Sequence, residues 1–305
     1  MSRMVKALGA TALGTLAWGT LVEPRLFTVR RHTVPVMPDG AAPLRVLQLS
    51  DLHLAPWQHR KIEWVRGLAR LKPDLLVLTG DLMGHRFARG PLLHALRPFS
   101  DAGVAGVFVH GSNDYYGPIP KNPLRYLREP SRKSTRQMDL DNAALTRELE
   151  ALGFANLNNR AVRLSVRGTA VELFGLGDPH IQYDNPVKMA AALAELRAVA
   201  GVETPMRVGV VHAPYQAALG ALLRSEADII LAGHTHGGQV RVPGVGALTS
   251  NCDLDPRLAR GLNVWFDAER AAFLNVSAGL GASIYAPVRF ACRPEASLLT
   301  LEAAR

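Results

Sequence analysis

Short apolar segments recur along the chain from residue 46 onwards, and a polar or glycine-containing turn follows each of them. Their brevity and their content of Val, Ile and Leu are typical of strands that a sheet buries on both faces. Between them, apolar residues recur every three or four positions, which predicts helices. The strands are predicted at residues 46–49, 75–78, 107–109, 208–211 and 229–232, and the helices at residues 58–71, 90–102, 141–152, 186–200 and 214–225. The alternation of strand and helix indicates an α/β fold.

Other parts of the chain depart from this alternation. Residues 161–166 and 170–174 flank a short Gly-containing turn and are interpreted as the two strands of a β-hairpin. Residues 27–43 are interpreted as an extended basic linker. The last third of the chain is β-rich with few helical intervals, and it therefore favours a second, partly antiparallel sheet. Its β-rich segments are residues 238–243, 272–277 and 296–302.

The chain begins with an apolar run, residues 7–22, which contains three Gly and three Thr. A membrane-spanning helix needs about 20 apolar residues, so this run is short for that purpose. We interpret residues 1–26 as an uncleaved helix that anchors the protein to a membrane or rests on it, with the folded domain, residues 44–303, in the cytoplasm. The alternatives are a signal-like segment of an exported protein and a packed helix. Arginines follow the run, and they do not favour export.

The net positive charge of the chain indicates which kinds of molecule it binds. The 305 residues include 35 Lys and Arg against 26 Asp and Glu, which favours anionic partners such as phosphorylated metabolites, acidic lipids or nucleic acid. Six basic residues and one acidic residue fall in a single insert, residues 118–138. No nucleic-acid-binding motif accompanies this charge, so nucleic acid is not the expected partner. The two cysteines lie far apart in sequence, which argues against a disulfide framework or a zinc knuckle.

Each of the five predicted strands is followed by residues able to bind a metal ion, and the carboxyl ends of such strands share one crevice. Carboxylate and imidazole ligands together suit Mn, Fe, Zn, Co or Ni, whereas Mg and Ca sites use more oxygen. The ligands exceed the need of one ion. Two divalent ions form a clamp suited to displacement at phosphorus. The candidate ligands are Asp51, His53, Asp81, Asn113, His212, His234 and His236.

Singly, these motifs are weak, because an Asp or a His after a strand is often no more than a helix cap or a solvated residue. Taken in order, they resemble the calcineurin-like metallophosphoesterase superfamily over about residues 44–300. The apolar N-terminus and the closing turns at 279–281 and 293–295 are similar to its membrane-associated bacterial subgroup, which includes UDP-2,3-diacylglucosamine pyrophosphatase-like enzymes. The motifs are D-x-H at 51–53, G-D at 80–81, G-x-x-D at 111–114, V-H at 211–212 and G-H-T-H at 233–236.

The resemblance implies a four-layer α/β-β/α sandwich, with two mixed sheets flanked by helices and a dimetal site at their edge. It implies that Asp81 bridges two ions, and that a hydroxide between them attacks phosphorus. The enzyme would be a phosphodiesterase or pyrophosphatase acting on a nucleotide-linked or lipid-linked phosphate. The first ion would be bound by Asp51, His53 and His236, and the second by His212 and His234. The expected catalytic residues are Asp81, Asn113 and His212.

One motif departs from the family pattern G-N-H-D, because this chain has Gly111-Ser112-Asn113-Asp114. In this register Ser112 replaces the Asn ligand and Asn113 replaces the His that assists the leaving group. A small local shift would instead make Asn113 the ligand, which we favour because a hydroxyl is a weaker ligand. The family's His acts as a general acid. A general acid contributes a factor of about 10² to 10⁴ in rate, so its absence predicts a preference for good leaving groups. The alternative is a metal-binding or membrane-docking module with little catalysis.

Several residues near this motif are candidates for contact with the substrate. Arginine binds phosphate oxygens through paired hydrogen bonds, so the basic insert is predicted to cap the crevice, although a solvated helical face is the plainer interpretation. His110, Asp114 and His180 are candidate replacements for the missing acid, but a neighbouring His is more often packed or solvated. A metal-dependent amidohydrolase is disfavoured because its H-x-H motif usually comes early. The candidate substrate-binding residues are Ser112, Tyr115, Arg125, Arg128 and His180.

Overall fold

The computed structural model describes residues 3–120, 137–199 and 205–303. The helices are α1 Arg3–Ala17, α2 His59–Gly67, α3 Arg89–Asp101, α4 Asn142–Ala151, α5 Pro186–Ala198 and α6 Gln216–Arg224. The first seven strands are β1 Thr28–Met37, β2 Leu44–Leu49, β3 Leu75–Thr79, β4 Ala105–Val109, β5 Phe154–Asn156, β6 Arg160–Val166 and β7 Thr169–Gly175. The remaining strands are β8 Met206–Val210, β9 Ile229–Ala232, β10 Arg241–Val242, β11 Gly246–Ala247, β12 Gly261–Phe266, β13 Ala271–Val276 and β14 Glu295–Ala303.

The strands form two six-stranded mixed sheets and a small ribbon. The first sheet has the order β1-β14-β2-β3-β4-β5, in which β2 to β5 are parallel and β14 runs antiparallel to β2. The second sheet has the order β12-β13-β9-β8-β7-β6, with parallel strands in the centre and an antiparallel strand at each edge. In each sheet, therefore, the central strands end at a common edge.

Alternate residues of each central strand pack in opposite directions. In β2, Leu47 and Leu49 pack into the core beneath α2, α3 and α4, whereas Leu44 and Val46 pack into the core between the sheets. A third core lies between the second sheet and helices α5 and α6. Burial on both faces explains why these strands are continuously apolar. The predicted α/β class and the four-layer sandwich are confirmed.

Three predictions about the strands were wrong. The expected linker, residues 27–43, contains β1, which pairs with β14 and lies upstream of the domain start predicted at residue 44. β1 is half-exposed and contains many polar side chains, so it lacks the continuous apolar run by which the central strands were predicted. The segment 296–302 joins the first sheet rather than the second. Within 238–243, only β10 is strand, and it pairs with β11.

The N-terminal apolar run forms α1, a π-helical turn Trp18–Val22 and a 3₁₀ turn Glu23–Arg25. In the described part of the chain, no helix has the length and apolarity required to cross a membrane. Most of the basic insert predicted at 118–138, including Arg125 and Arg128, lies outside the described residues.

Candidate metal centre

Acidic and imidazole side chains from both sheets meet where the central strands end. Asp51, His53 and His236 place one donor atom each within 4.8 Å of one another, and so do Asp51, Asp81 and His212. The two groups share Asp51. His53 Nε2 lies 3.3 Å from His236 Nε2 and 3.4 Å from an Asp81 oxygen. The structure therefore brings these five predicted side chains together.

The two carboxylates are buried, and among the described residues their ion-pair partners are histidines. Asp51 Oδ2 accepts a hydrogen bond of 2.9 Å from the backbone N–H of His234, but its Oδ1 has no hydrogen-bond partner in the described part of the chain. Leaving a buried carboxylate oxygen unpaired is unfavourable. A cation beside Oδ1 would remove that penalty.

Backbone carbonyls fix the tautomers of two ligand histidines. His212 Nδ1 lies 2.7 Å from the carbonyl of Thr79, and His236 Nδ1 lies 3.0 Å from that of Gly281. Because a carbonyl only accepts, each Nδ1 carries a proton, and in the neutral ring each Nε2 keeps its lone pair. His212 Nε2 is buried, has no hydrogen-bond partner among the described residues and lies 3.6 Å from Asp81. The lone pairs therefore face the carboxylates, as in a metal site.

His234 lies beside the same centre. Its Nε2 lies 3.0 Å from the backbone carbonyl of Asn251 and 3.2 Å from the amide nitrogen of the Asn251 side chain. Its ring centroid is 5.3 Å from that of His212. The structure places His234 beside the second group of ligands, although it belongs to neither of the two triplets.

The local backbone is shaped to aim these side chains inward. Asp51, His53, Asp81, His234 and His236 all have positive φ between 39° and 69°. Non-glycine residues rarely adopt this conformation, and such strain concentrates at functional sites. Glycine permits the close approach of the loops, because a Cβ on Gly111 would collide with Asp81 and His212.

Burial and mutual charge shift the pKa values of the ligands. Burial raises the pKa of Asp51 to about 6 and lowers that of His53 to about 4. Burial alone would lower the pKa of His212, but Asp81, Asp178 and Asp51 outweigh it and raise that pKa to about 9. In the metal-free site, the positive charge that the carboxylates require therefore comes from a proton on His212.

Burial lowers the pKa values of His234 and His236 well below the usual range, which keeps these imidazoles neutral. Neutral imidazole is the form that binds metals. Burial acts to raise the pKa of Asp81, but His212, His53 and hydrogen bonds from Asn113 outweigh it and hold that pKa below its usual value. Ionised carboxylates and the neutral imidazoles of His53, His234 and His236 therefore form a donor set that fits divalent cations, and His212 would join it on losing its second proton.

The third motif places Asn113, rather than Ser112, against the ligands. The Asn113 backbone N–H and side-chain amide donate hydrogen bonds of 2.8 and 2.7 Å to the two oxygens of Asp81. The Ser112 hydroxyl lies 3.5 Å from the Asn113 amide nitrogen. Asp114 accepts from the backbone N–H groups of Leu82 and Met83, so it holds the loops together.

The other residues predicted to contact the substrate or to replace the general acid lie at different distances from the metal centre. His180 is close, with its ring centroid 4.6 Å from that of His234 and its Nδ1 3.0 Å from the hydroxyl of Tyr215. Tyr115 packs edge-on against Tyr183 at 5.0 Å. His110 is buried and lies 2.8 Å from the Thr146 hydroxyl, so it belongs to the packing behind the site.

The sequence reasoning missed Asp178. It follows β7, is fully buried, and its Oδ2 has no hydrogen-bond partner among the described residues. Burial raises its pKa to about 7, and Asp81 adds to that effect. Because β7 was interpreted only as a hairpin strand, the residues at its carboxyl end were not considered as ligands. The backbone carbonyls that orient the histidines leave no signal in the sequence.

The sequence profile of the calcineurin-like phosphoesterases matches residues 44–238. The chain belongs to this family. It is a metallophosphoesterase, a hydrolase that acts on phosphoester bonds, and its family uses divalent metals.

Curated relatives match nearly the whole chain. Phosphodiesterase YaeI of Escherichia coli (strain K12) is 29% identical over 308 residues, covering 98% of each chain. The uncharacterized metallophosphoesterase YkuE of Bacillus subtilis (strain 168) is 26% identical over 318 residues, covering 98% of this chain and 95% of YkuE. UDP-2,3-diacylglucosamine pyrophosphatase LpxG of Chlamydia trachomatis serovar D is 27% identical over 321 residues, covering 93% of this chain and 92% of LpxG. The predicted superfamily is confirmed, and homologues include a pyrophosphatase of the predicted kind.

Proposed function

We propose that the protein hydrolyses phosphodiesters or pyrophosphates with two divalent metal ions held at the candidate metal centre. Asp81 would be a ligand to both ions. The metals would be Mn, Fe, Zn, Co or Ni, which suit mixed carboxylate and imidazole ligands. Asp51, His53 and His236 would hold one ion, and Asn113, His212 and His234 would hold the other.

A single observation carries the proposal. Two buried carboxylates face imidazole nitrogens that, in the neutral rings, direct their lone pairs into the site because backbone carbonyls hold the opposite ring protons. Buried polar atoms normally find hydrogen-bond partners. Asp51 Oδ1 and His212 Nε2, which have no hydrogen-bond partner among the described residues, lie in the same cluster, so divalent cations would satisfy several such atoms at once.

When bound, the ions would polarise the phosphoryl oxygens and lower the pKa of water. The residues of the chain fix the positions of both charges. Asn113 holds Asp81 through two hydrogen bonds, and a rotation of its side-chain amide would present its oxygen as a ligand. His180 and Tyr215 lie on the side of His234 and supply polar groups that would contact the substrate.

The first experiment measures metal content and turnover together. Purified full-length protein is reconstituted with each candidate metal, and the bound ions are counted by mass spectrometry. We expect two ions per chain and hydrolysis of bis(p-nitrophenyl) phosphate. Two bound ions without turnover would favour the second candidate, a metal-binding module on the same fold. Protein that binds no metal would contradict both.

The missing acid leads to a second experiment. Neither Asn113 nor Ser112 titrates near neutral pH, so a poor leaving group receives no proton from this motif. The measured quantity is the rate with aryl phosphodiesters or pyrophosphates divided by the rate with alkyl phosphodiesters. We expect this ratio to be larger, by a factor of about 10² or more, than the same ratio for an enzyme with His at this position. Equal ratios for this protein and that enzyme would contradict this part of the proposal.

The nature of the substrate follows from charge and from the relatives. A phosphorylated small molecule or lipid suits a basic protein, and LpxG is a pyrophosphatase of a diacylated nucleotide sugar by name. We propose that residues 7–22 associate with a membrane and that the metal centre faces the cytoplasm. Protease protection of a C-terminal tag in intact spheroplasts tests this orientation, and cleavage of the tag there would favour the exported alternative.

A further inference from the structure

A surface hairpin beside the metal centre is entirely apolar at its tip. Strands β10 and β11 are joined by Val242-Pro243-Gly244-Val245, in which the Val245 N–H donates to the Val242 carbonyl at 3.0 Å and Gly244 has a φ of +81°. Pro followed by Gly with positive φ favours a type II turn. From Val242 to Leu248, the sequence VPGVGAL contains no polar side chain. Surface turns are usually rich in polar residues, so this composition requires an explanation.

The apolar side chains of this hairpin face solvent. Val245 is 72% exposed, Leu248 49% and Val242 39%. Exposed residues of this kind are ordinary when scattered singly, but contiguous apolar patches mark interaction sites. We call residues 240–248 the apolar hairpin.

Both ends of the apolar hairpin are attached to the metal centre. The hairpin begins four residues after His236, and Gly238 packs so closely on β11 that a Cβ there would collide with Ala247. Just beyond β11, the carbonyl of Asn251 lies 3.0 Å from His234 Nε2. The tip of the hairpin therefore stands at a fixed distance from the ligands, and whatever binds the tip lies beside the metal centre.

The apolar hairpin is continuous with the N-terminal helical segment. Val240 forms a β-bridge with Phe290, and the neighbouring Arg289 N–H donates to the carbonyl of Gly19 at 2.8 Å. Residues 9–18 are exposed at every position, although they are mostly apolar. A helix with apolar residues on all sides is stable when an apolar medium surrounds it. The segment and the hairpin are thus linked through Arg289 and Phe290, and each exposes apolar side chains.

Cationic side chains lie beside the N-terminal segment. Arg25 and Arg293 are exposed, and the Arg293 side chain donates to the carbonyl of Leu26 at the base of the helical segment. Apolar residues flanked by arginines are suited to an anionic lipid surface, since the apolar groups enter the headgroup region while the arginines stay with the phosphates.

We propose that the apolar hairpin is a second lipid-docking element, which inserts its tip into an anionic bilayer surface beside the N-terminal segment. Docking at both elements holds the metal centre at the height of the lipid headgroups, because the hairpin is attached at both ends to residues of that centre. The expected consequence of docking is hydrolysis of a phosphate carried by a lipid, and this consequence rests on the proposed function. The docking itself is independent of catalysis.

Vesicle sedimentation of the full-length protein tests the docking. The probes are vesicles of phosphatidylcholine alone and of phosphatidylcholine mixed with phosphatidylglycerol. We expect the double substitution V242D/V245D to weaken binding to the mixed vesicles by about tenfold, because two apolar side chains are lost and two anionic groups are added. The wild-type protein should bind the mixed vesicles more tightly than the neutral ones.

The matched control is V187D/V199D, which changes two valines that are 80% and 86% exposed elsewhere on the surface. It adds the same charge and should retain most of the binding. Equal binding by V242D/V245D and the wild-type protein, or an equal loss in the control, would overturn the proposal. In the first case the hairpin would be a surface for a protein partner instead.

Turnover of soluble bis(p-nitrophenyl) phosphate separates this proposal from the proposed function. We expect V242D/V245D to hydrolyse it at the wild-type rate, since the substituted side chains lie at the tip of the hairpin. A wild-type protein that binds vesicles but hydrolyses nothing would refute the enzymatic function and leave the docking intact. Circular dichroism confirms that each variant is folded.

Discussion

The second sheet buries charge at both ends of the same two strands, β7 and β8, but in opposite ways. At the amino ends, Glu172 is fully buried and receives hydrogen bonds from Arg197 of 2.7 and 3.0 Å and from Arg163 of 3.3 Å. Arg207 lies 3.7 Å away. At the carboxyl ends lie the candidate metal ligand His212 and Asp178, whose Oδ2 has no hydrogen-bond partner among the described residues.

The difference distinguishes a structural cluster from a functional one. A buried carboxylate surrounded by guanidinium groups has its charge and its lone pairs satisfied within the protein. At the metal centre, the partners of the carboxylates are imidazoles whose own lone pairs face the same space. Acceptors that face acceptors require a positive charge between them, which is a proton on His212 in the metal-free protein and would be a metal cation in the loaded one. Burial of charge is common to both ends, and only the nature of the partners separates them.

Removing a shared ligand should have the largest effect. For Asp81→Asn, we expect activity to fall by about 10³ or more, because the charge that draws both ions to one place is lost and metal stabilisation of the transition state amounts to several kcal/mol. The rise in melting temperature that metal causes in the wild-type protein should shrink as well. Asp101→Asn, at an exposed position at the end of α3, is the matched control. Activity within tenfold of wild type would rule out Asp81 as a shared ligand.

The cluster at the amino ends should respond in stability instead. For Glu172→Gln, we expect the free energy of unfolding to fall by about 3 kcal/mol, because arginines packed around a buried carboxylate lose their counter-charge. Turnover per folded molecule should remain unchanged. Denaturant titration in EDTA measures the first effect, and Glu195→Gln, exposed on α5, controls for the substitution. Loss of turnover in folded Glu172→Gln would contradict a purely structural role for the cluster at the amino ends.

The proton on His212 should give the metal-free protein a distinct pH dependence. Its pKa is raised from 6.5 to about 9, so the stabilisation is complete below pH 6.5 and is lost as the pH rises through 9. Burial lowers the pKa of Lys61 to about 7, which acts in the opposite direction over this range, so wild type must be compared with a variant. We expect the stability advantage of wild type over His212→Gln to shrink by about 2 kcal/mol between pH 7 and 9.

Unfolding free energies in EDTA at both pH values measure this change. Saturating divalent metal should abolish it in the wild-type protein, since the cation replaces the proton. A constant difference between the two proteins across this range would show that His212 carries no extra proton.

Much of the fold could be predicted because the central strands are buried on both faces and therefore continuously apolar. The edge strand β1 escaped prediction, because an edge strand needs only half of its residues to be apolar. The assignment of β14 to the first sheet depends on pairing with β2, which lies some 250 residues earlier in the chain. A local pattern contains no information about such pairing.

The candidate metal ligands could be located because each follows a strand, so topology alone brings them together. Asp178 obeys the same rule after β7, and it was missed because the strand had been assigned to a hairpin. The carbonyls of Thr79, Gly281 and Asn251 orient three histidines, yet any residue type supplies a carbonyl. Side-chain chemistry is therefore predictable from sequence, and its orientation by the backbone is not.

The smallest expected effect concerns the two residues that depart from the family motif. Asn113 contacts both oxygens of Asp81, whereas the Ser112 hydroxyl contacts only the Asn113 amide among the described residues. We therefore expect Asn113→Ala to reduce metal affinity and activity by about 10-fold, the lower end of the range for residues that orient metal ligands, and Ser112→Ala to change them by less than about threefold. Isothermal titration with Mn²⁺ and bis(p-nitrophenyl) phosphate turnover measure the two effects. Because Ser112 precedes Asn113 in the same 3₁₀ turn, Ser112→Ala is a matched control for disturbance of the loop. The reverse order of effects would assign the ligand role to the hydroxyl and restore the unshifted register of the family motif.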